Sequence, residues 1–496
     1  MPSRKARIVV TAIFSAALLL LLFSLKLRTA RAASAAEEKS NAVDAGTTTR
    51  KDQTDLSVTV YNSNLALVRD IREIHLQSGV APLRFEDVAA NIMPATVHFR
   101  SVSDPAKLAV LEQNYEYDLL DQNSLLKKFV GRDLLVMHNE VQDNQVKWVL
   151  GKGTLVSDNN GATVWKIGDE IVTNAQPYSY PDVPADLYSH PTLIWTLANR
   201  GAEVQRVEAS YLTGNMNWSA DYVLTVSRDE KSADLDGWVT LVNNSGAAFE
   251  NARLQLVAGN VHRDEPPYRA KAAYAVSQMV AVDGATIQQE NFSEFHLYTL
   301  DRRTTIHDNE SKQVSLLTGT NIPVEKYLQV EGQPNWYRSP LGIGNPIPQP
   351  VKVFYRFTND QKSNLGMPLP AGTVRVYQAD SRGTLQFAGE NLITHTPKDE
   401  QVRVYIGDAF DVVCERKQMD YKRLGPNLAE FEYQIALRNH KGESVNVEVR
   451  EPVGGDWEVL NENYKSTKLD ATTIGFTVPV EKEGSAMLDY RVRVKW

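Results

Sequence analysis

The stretch Ser485-Ala486-Met487-Leu488-Asp489-Tyr490-Arg491-Val492-Arg493-Val494 decides the fold class. Leu488, Tyr490, Val492 and Val494 occupy every second position with polar residues between them, and only an extended strand puts i, i+2 and i+4 on one face. One face of this strand is expected to be buried and the other wet. The runs before it, 430–438, 444–451, 457–460 and 472–478, have the same character and are separated by turn residues. Together they read as an immunoglobulin-like sandwich over 426–496.

Further upstream the style continues. Strand-like runs at 204–212, 219–227, 237–242, 252–258 and 295–300 fill a central β domain, 188–425, with one helix candidate at 268–281 that is rich in alanine. Pro340, Pro346, Pro348 and Pro350 read as a rigid connector ahead of the strand 351–357. An N-terminal β domain is expected over 54–187. Leu56, Val58 and Val60 alternate with polar residues there, Asn62-Ser63-Asn64 forms a turn, and the chain returns over 65–76. Short strands joined by Asn, Asp and Gly between 130 and 172 suggest a small barrel or sandwich. Pro177, Pro181, Pro184 and Pro191 mark its end. The fold class is mainly β, built of several antiparallel sandwich or barrel domains.

At the other end, Arg4, Lys5 and Arg7 precede an uncharged apolar run, 8–25, followed by Ala30-Arg31-Ala32. This is the pattern of an export signal ending at residue 32. Eighteen apolar residues also just reach the span of a bilayer, so the second reading is an uncleaved anchor over 8–25. Both place the bulk outside the cytoplasm, in the periplasm or cell envelope. The polar stretch 33–53 reads as a disordered linker.

Removing Arg4, Lys5, Arg7, Lys26, Arg28 and Arg31 would leave 47 basic against 61 acidic residues. Such an acidic surface repels phosphate backbones, so nucleic acid is not an expected partner. The single cysteine, Cys414, excludes an intrachain disulfide and a cysteine metal cluster, and it reads as a small buried hydrophobe.

Several stretches carry a family resemblance: Leu193-Ile194-Trp195, Tyr211-Leu212-Thr213, Asn217-Trp218-Ser219-Ala220-Asp221-Tyr222, Asn243-Asn244-Ser245-Gly246, Ala258-Gly259, Leu297-Tyr298, Gly366-Met367-Pro368-Leu369-Pro370-Ala371-Gly372, and the block from Arg375-Val376-Tyr377 through His395-Thr396-Pro397 to Gly407-Asp408-Ala409-Phe410-Asp411. Over about 54–496 the chain resembles exported bacterial proteins that share a domain without assigned function and are related to mucoidy inhibitor A-like proteins. Those relatives carry a coiled-coil-like insertion, and no sustained heptads supply one here. The resemblance brings no catalytic residues with it.

Chemistry is sparse. No serine-hydrolase elbow, His-Glu-x-x-His, phosphate loop, dinucleotide fingerprint or EF-hand loop is present. The densest polar group is Asp380, Arg382, Glu390, His395, Glu400, Asp408 and Asp411, of which Asp380, Glu390, His395, Asp408 and Asp411 form the candidate ligand or acid/base cluster. Against it, Asp380-Ser381-Arg382-Gly383 fits a hairpin turn. Trp218 and Tyr222 form a candidate aromatic surface, with core packing as the competing reading. His262, His296 and His307 match no compact zinc spacing. The expectation is an exported, non-enzymatic binding or scaffold protein of the envelope, with no cofactor or metal and with an envelope protein or glycan as partner. Membrane contact would come only through the N-terminal anchor. The alternative is an extracytoplasmic hydrolase working through the Asp380 to Asp411 carboxylates or a divalent cation.

Overall fold

The computed structural model describes residues 46–116, 120–142, 145–159, 161–173, 175–184, 187–188, 190–263 and 287–496. The expected export signal, most of the expected linker and the helix expected at 268–281 lie outside the described residues. The described residues begin at Gly46, within the stretch 33–53 expected to be a linker. Thr47–Thr48 pairs in parallel with Arg84 and Phe85, and Thr49 and Asp52 close a capping box around the turn that follows.

The chain is mainly β, as the alternating pattern requires, and its sheets are open rather than closed barrels. It divides into two compact units. Among the described residues, the first comprises 46–56, 68–213 and 245–247, and the second 57–67, 214–244 and 248–496. A boundary at 187 does not hold, because Thr192–Asn199 pairs with Gly79–Phe85 and with Leu108–Glu116, and Val204–Gly214 pairs with His98–Ser101. In the other direction, Ser57 to Tyr61 run parallel to Arg253 to Val257 in the second unit. Pairing between strands so distant in sequence overrides the proline punctuation that marked the expected boundary.

The first unit holds a five-stranded antiparallel sheet, in the order Glu170–Val172, Ala162–Ile167, Gln145–Asn159, Asp133–Gln142 and Gln176–Ser179. The helix Gln122–Lys128, capped by Asp121, contributes Leu126 to its core beside Phe129, Leu134, Val136, Leu155 and Trp165. Among the described residues no helix is long and apolar enough to cross a membrane.

In the second unit, a mixed sheet runs Glu310–Pro323, Ser232–Asn243, Met216–Val226, Gly372–Ala379 and Leu385–Ile393. Beyond it, two sheets enclose one core. One contains Lys352–Thr358, Glu325–Glu331, Val445–Pro452 and Thr473–Val480, and the other Val412–Gly425, Leu428–Asn439 and Ser485–Lys495. This sandwich therefore starts near residue 325 rather than at 426. The expected boundary falls in the turn of a hairpin whose arms, Val412–Gly425 and Leu428–Asn439, are paired along their length. In Leu428–Asn439 every second residue is buried, and Phe431, Tyr433, Ile435 and Leu437 each contribute about 1.5–3 kcal/mol by leaving water.

One charged group crosses that core. Arg416, fully buried on one sheet, donates to both carboxylate oxygens of Glu451 on the other, as well as to the Tyr490 hydroxyl at 3.2 Å and Gln349 Oε1 at 2.7 Å. Trp336 and Tyr433 each lie 5.1 Å from its guanidinium carbon. Replacing Arg416 by Ala strands the Glu451 carboxylate in the core, and a loss of about 3–5 kcal/mol is expected by denaturant titration of the full chain. A simultaneous apolar replacement of both partners should recover much of it.

Cys414 is on the same strand and is also buried, and desolvation pushes its thiol up to about 12. It should not react with a thiol reagent at neutral pH until the chain unfolds, which the time course of labelling in native buffer and in denaturant measures.

Candidate functional site

The local architecture around Gly366–Gly372 follows from its prolines. Pro368 and Pro370 have no N–H to donate, so this segment cannot pair as a regular strand and has to be held by side chains. Four residues hold it. Asn359, fully buried, donates from Nδ2 to the carbonyls of Met367 (2.9 Å) and Pro397 (3.0 Å), and its Oδ1 accepts the Gly366 N–H at 3.1 Å. Tyr298 and Tyr222 donate their hydroxyls to the carbonyls of Pro368 and Pro370, both at 2.9 Å. His395 accepts the Ala371 N–H on Nδ1 at 3.1 Å. Leu369 and Thr396 exchange backbone hydrogen bonds in both directions. Gly372 completes the strap, because a Cβ there would lie 2.2 Å from the Ala220 carbonyl oxygen.

The strap borders a depression of about 390 Å³ lined by Asn62, Ser63, Asn217, Ser219, Asn260 and His395, with Trp218, Gly259 and Ala371. Trp218 is its buried base. The indole N–H is donated to the Val257 carbonyl at 3.2 Å, and Tyr298 meets the ring edge-on at 6.3 Å between centroids. Asn62 Oδ1 is buried and has no hydrogen-bond partner. Among the described residues none that lines it is a carboxylate, lysine or arginine. Partial burial, and then the neighbouring His296, hold the His395 imidazole below the usual histidine range. His296 is itself hydrogen-bonded through Nδ1 to Gln289 at 3.0 Å.

The candidate cluster fares unevenly. His395 lines the depression. Asp380 closes the hairpin turn, accepting N–H bonds from Arg382 (2.8 Å) and Thr384 (3.0 Å). Glu390 is exposed and paired with Arg375 at 3.3 Å. Asp408 accepts the Tyr405 hydroxyl at 2.9 Å, and Asp411 is an exposed residue whose carbonyl receives the His440 N–H. Among the described residues no three histidine, cysteine or carboxylate groups gather in a way that could hold a metal ion. Trp218 and Tyr222 are not a surface: they are 1% and 0% exposed, because alternation on Met216–Val226 turns both toward the core.

Asn62, Asn260, Asn359 and the link between His296 and His395 escaped sequence reading. Nothing in the local pattern of any of them announces a shared site. A second cavity, about 560 Å³, is heavily charged, and five of its charged residues pair with one another. Glu230 takes Lys326, Tyr355 and Gln378, and Arg356 takes Glu325 and Glu448.

The second unit thus presents a depression lined mainly by neutral polar groups and bordered by a proline strap. The chain belongs to the family described as Domain of unknown function (DUF4139), whose model matches residues 207–496. Residues 54–206 lie outside that match. No curated protein matches the chain.

Replacing Asn359 by Ala removes four hydrogen bonds from one buried point, of which the one to the Thr396 carbonyl, at 3.4 Å, is the longest. At about 1 kcal/mol for each of the three shorter bonds, the full chain should lose about 2–3 kcal/mol in denaturant titration. The amides of Gly366 and Leu369 should lose hydrogen-exchange protection before the rest of the sheet does.

Proposed function

We propose that this chain is an exported, non-enzymatic binding or scaffold component of the bacterial cell envelope, related to mucoidy inhibitor A-like proteins, and that its ligand site is the depression beside the proline strap. The apolar run 8–25 with its basic flank supports export or anchoring. The amide and hydroxyl lining is the observation that carries the binding role: it suits a neutral, hydroxyl-rich ligand such as an envelope glycan, and among the described residues it offers no carboxylate for acid/base work. Five of the stretches that carry the family resemblance, around Trp218, Gly259, Tyr298, Ala371 and His395, meet at this depression or pack directly beneath it.

The hydrolase alternative draws less support, since Asp380, Glu390 and Asp408 are each engaged by a different neighbour. A protein partner has one observation in its favour. Val146, Trp148 and Leu150 alternate on one strand of the five-stranded sheet and stay 68%, 55% and 49% exposed.

The melting temperature of the full chain, measured against a panel of glycans, divalent cations and a chelator, tests the proposal. A neutral glycan at about one hundred times its Kd should stabilise the chain by about 2.7 kcal/mol, and the chelator should leave the melting temperature unchanged. A fall with chelator would return the weight to a metal-dependent hydrolase.

A further inference from the structure

We propose, independently of the ligand site above, that the outward face of the hairpin formed by Asp133–Gln142 and Gln145–Asn159 is a self-association surface. A second copy of this chain packs on it across a two-fold axis beside Trp148.

The hairpin outgrows its sheet. Its strands pair from Asp133 with Thr154 to Gln142 with Gln145. Ala162–Ile167 supports the second strand only from Thr154 onward, and Gln176–Ser179 supports the first only over Leu135 to Met137. Among the described residues, 138–142 and 145–153 are therefore a two-stranded ribbon. Such a ribbon is marginal in water unless one face is covered.

Register and alternation put Leu135 of the first strand on the same side as Val146, Trp148, Leu150 and Lys152 of the second. Leu134, Val136 and Leu155 point the other way and fill the core. On the outward side nothing in the chain covers the apolar groups: Val146, Trp148, Leu150 and Leu135 are 68%, 55%, 49% and 37% exposed. Together they present roughly 400 Å², the size of patch that marks an interaction site rather than scattered exposure. Two copies face to face would bury about twice that. At the roughly 65% apolar share of homodimer interfaces the whole contact comes to about 1,200 Å², enough for a specific interface.

The pattern of the strip selects the occupant. A two-fold contact needs a patch that fits itself when its direction is reversed. Reversal about Trp148 sets Val146 against Leu150 and the indole against its own copy. The rim has the same property, because Lys152 and Asp133, an exposed ion pair at 3.0 Å, carry both signs in balance. A strongly charged partner gains nothing from such a rim, whereas a second copy sets each lysine near an aspartate. A lipid surface fits less well. Asp143 stands in the sequence between the two strands and the chain carries a net charge of −8, both of which anionic headgroups repel.

The mass of the purified full chain, followed by sedimentation velocity between about 1 and 100 μM, tests this. A mass of two chains is expected. Trp148→Lys places like charges at the axis and should raise the dissociation constant at least about thirtyfold, with the far-UV circular dichroism unchanged. Leu150→Lys should act in the same way. Because Cys414 is buried, one introduced thiol reports position. A short thiol-to-thiol cross-linker should join two copies of Trp148→Cys and leave Val80→Cys, also 68% exposed but on Gly79–Phe85, as single chains.

A single-chain mass over the whole range would overturn the proposal. So would a dimer that Trp148→Lys leaves unchanged, since its contact would lie elsewhere, the apolar run 8–25 included. A single-chain mass combined with binding to anionic phospholipid vesicles that Trp148→Lys abolishes would give the face to a lipid surface, and overturns it equally.

Discussion

The second unit depends on a buried ion pair. Arg416 and Glu451 come from facing sheets of the sandwich, and each is too costly to bury alone. Together with Gln349 and Tyr490 they satisfy one another at only one relative position of the two sheets. Hydrophobic burial around them, from Val447, Val449, Leu488 and Val492, supplies the driving force but is tolerant of sliding. The ion pair is not tolerant, since a shift of one residue on either strand turns one partner to the opposite face. Its role is one of register more than of net energy, because a buried pair recovers little beyond its own desolvation.

A similar division of labour shapes the depression. Alternating apolar residues on Met216–Val226 and Phe249–Ala258 build the platform, and Trp218 fills it from beneath. The prolines of the strap remove it from the sheet ladder, and side chains then take over its carbonyls one by one. Tyr222 and Tyr298 thereby acquire a use that neither surface exposure nor simple packing describes: each is an apolar body in the core with a hydroxyl that fixes the strap. His395 ends the series by accepting the Ala371 N–H on Nδ1.

Sequence reading reached the strands and their inward faces because alternation is a local property. Leu488, Tyr490, Val492 and Val494 are all buried, as their spacing requires, and Asp380 sits in the hairpin turn that Asp-Ser-Arg-Gly spells. It failed where local pattern competes with distant pairing. The proline cluster near 181 and the turn residues Leu424-Gly425-Pro426 looked like domain limits, yet Thr192–Asn199 returns to the first unit, and Val412–Gly425 forms one hairpin with Leu428–Asn439. The acidic residues between 380 and 411 looked like a cluster only because they are near in sequence. Alternation and turns send their side chains to separate neighbours.

What the amino-acid sequence determined by itself is the β class, the buried face of each strand, the inert cysteine and the hairpin turns, because each follows from interactions within a few residues. Tertiary structure alone decided which residues share a site. Asn62, Trp218, Gly259, Ala371 and His395 span more than three hundred positions and meet through non-local strand pairing, much of it parallel. Parallel partners are joined by long connections rather than by a tight turn, so no short-range pattern records which of them will meet.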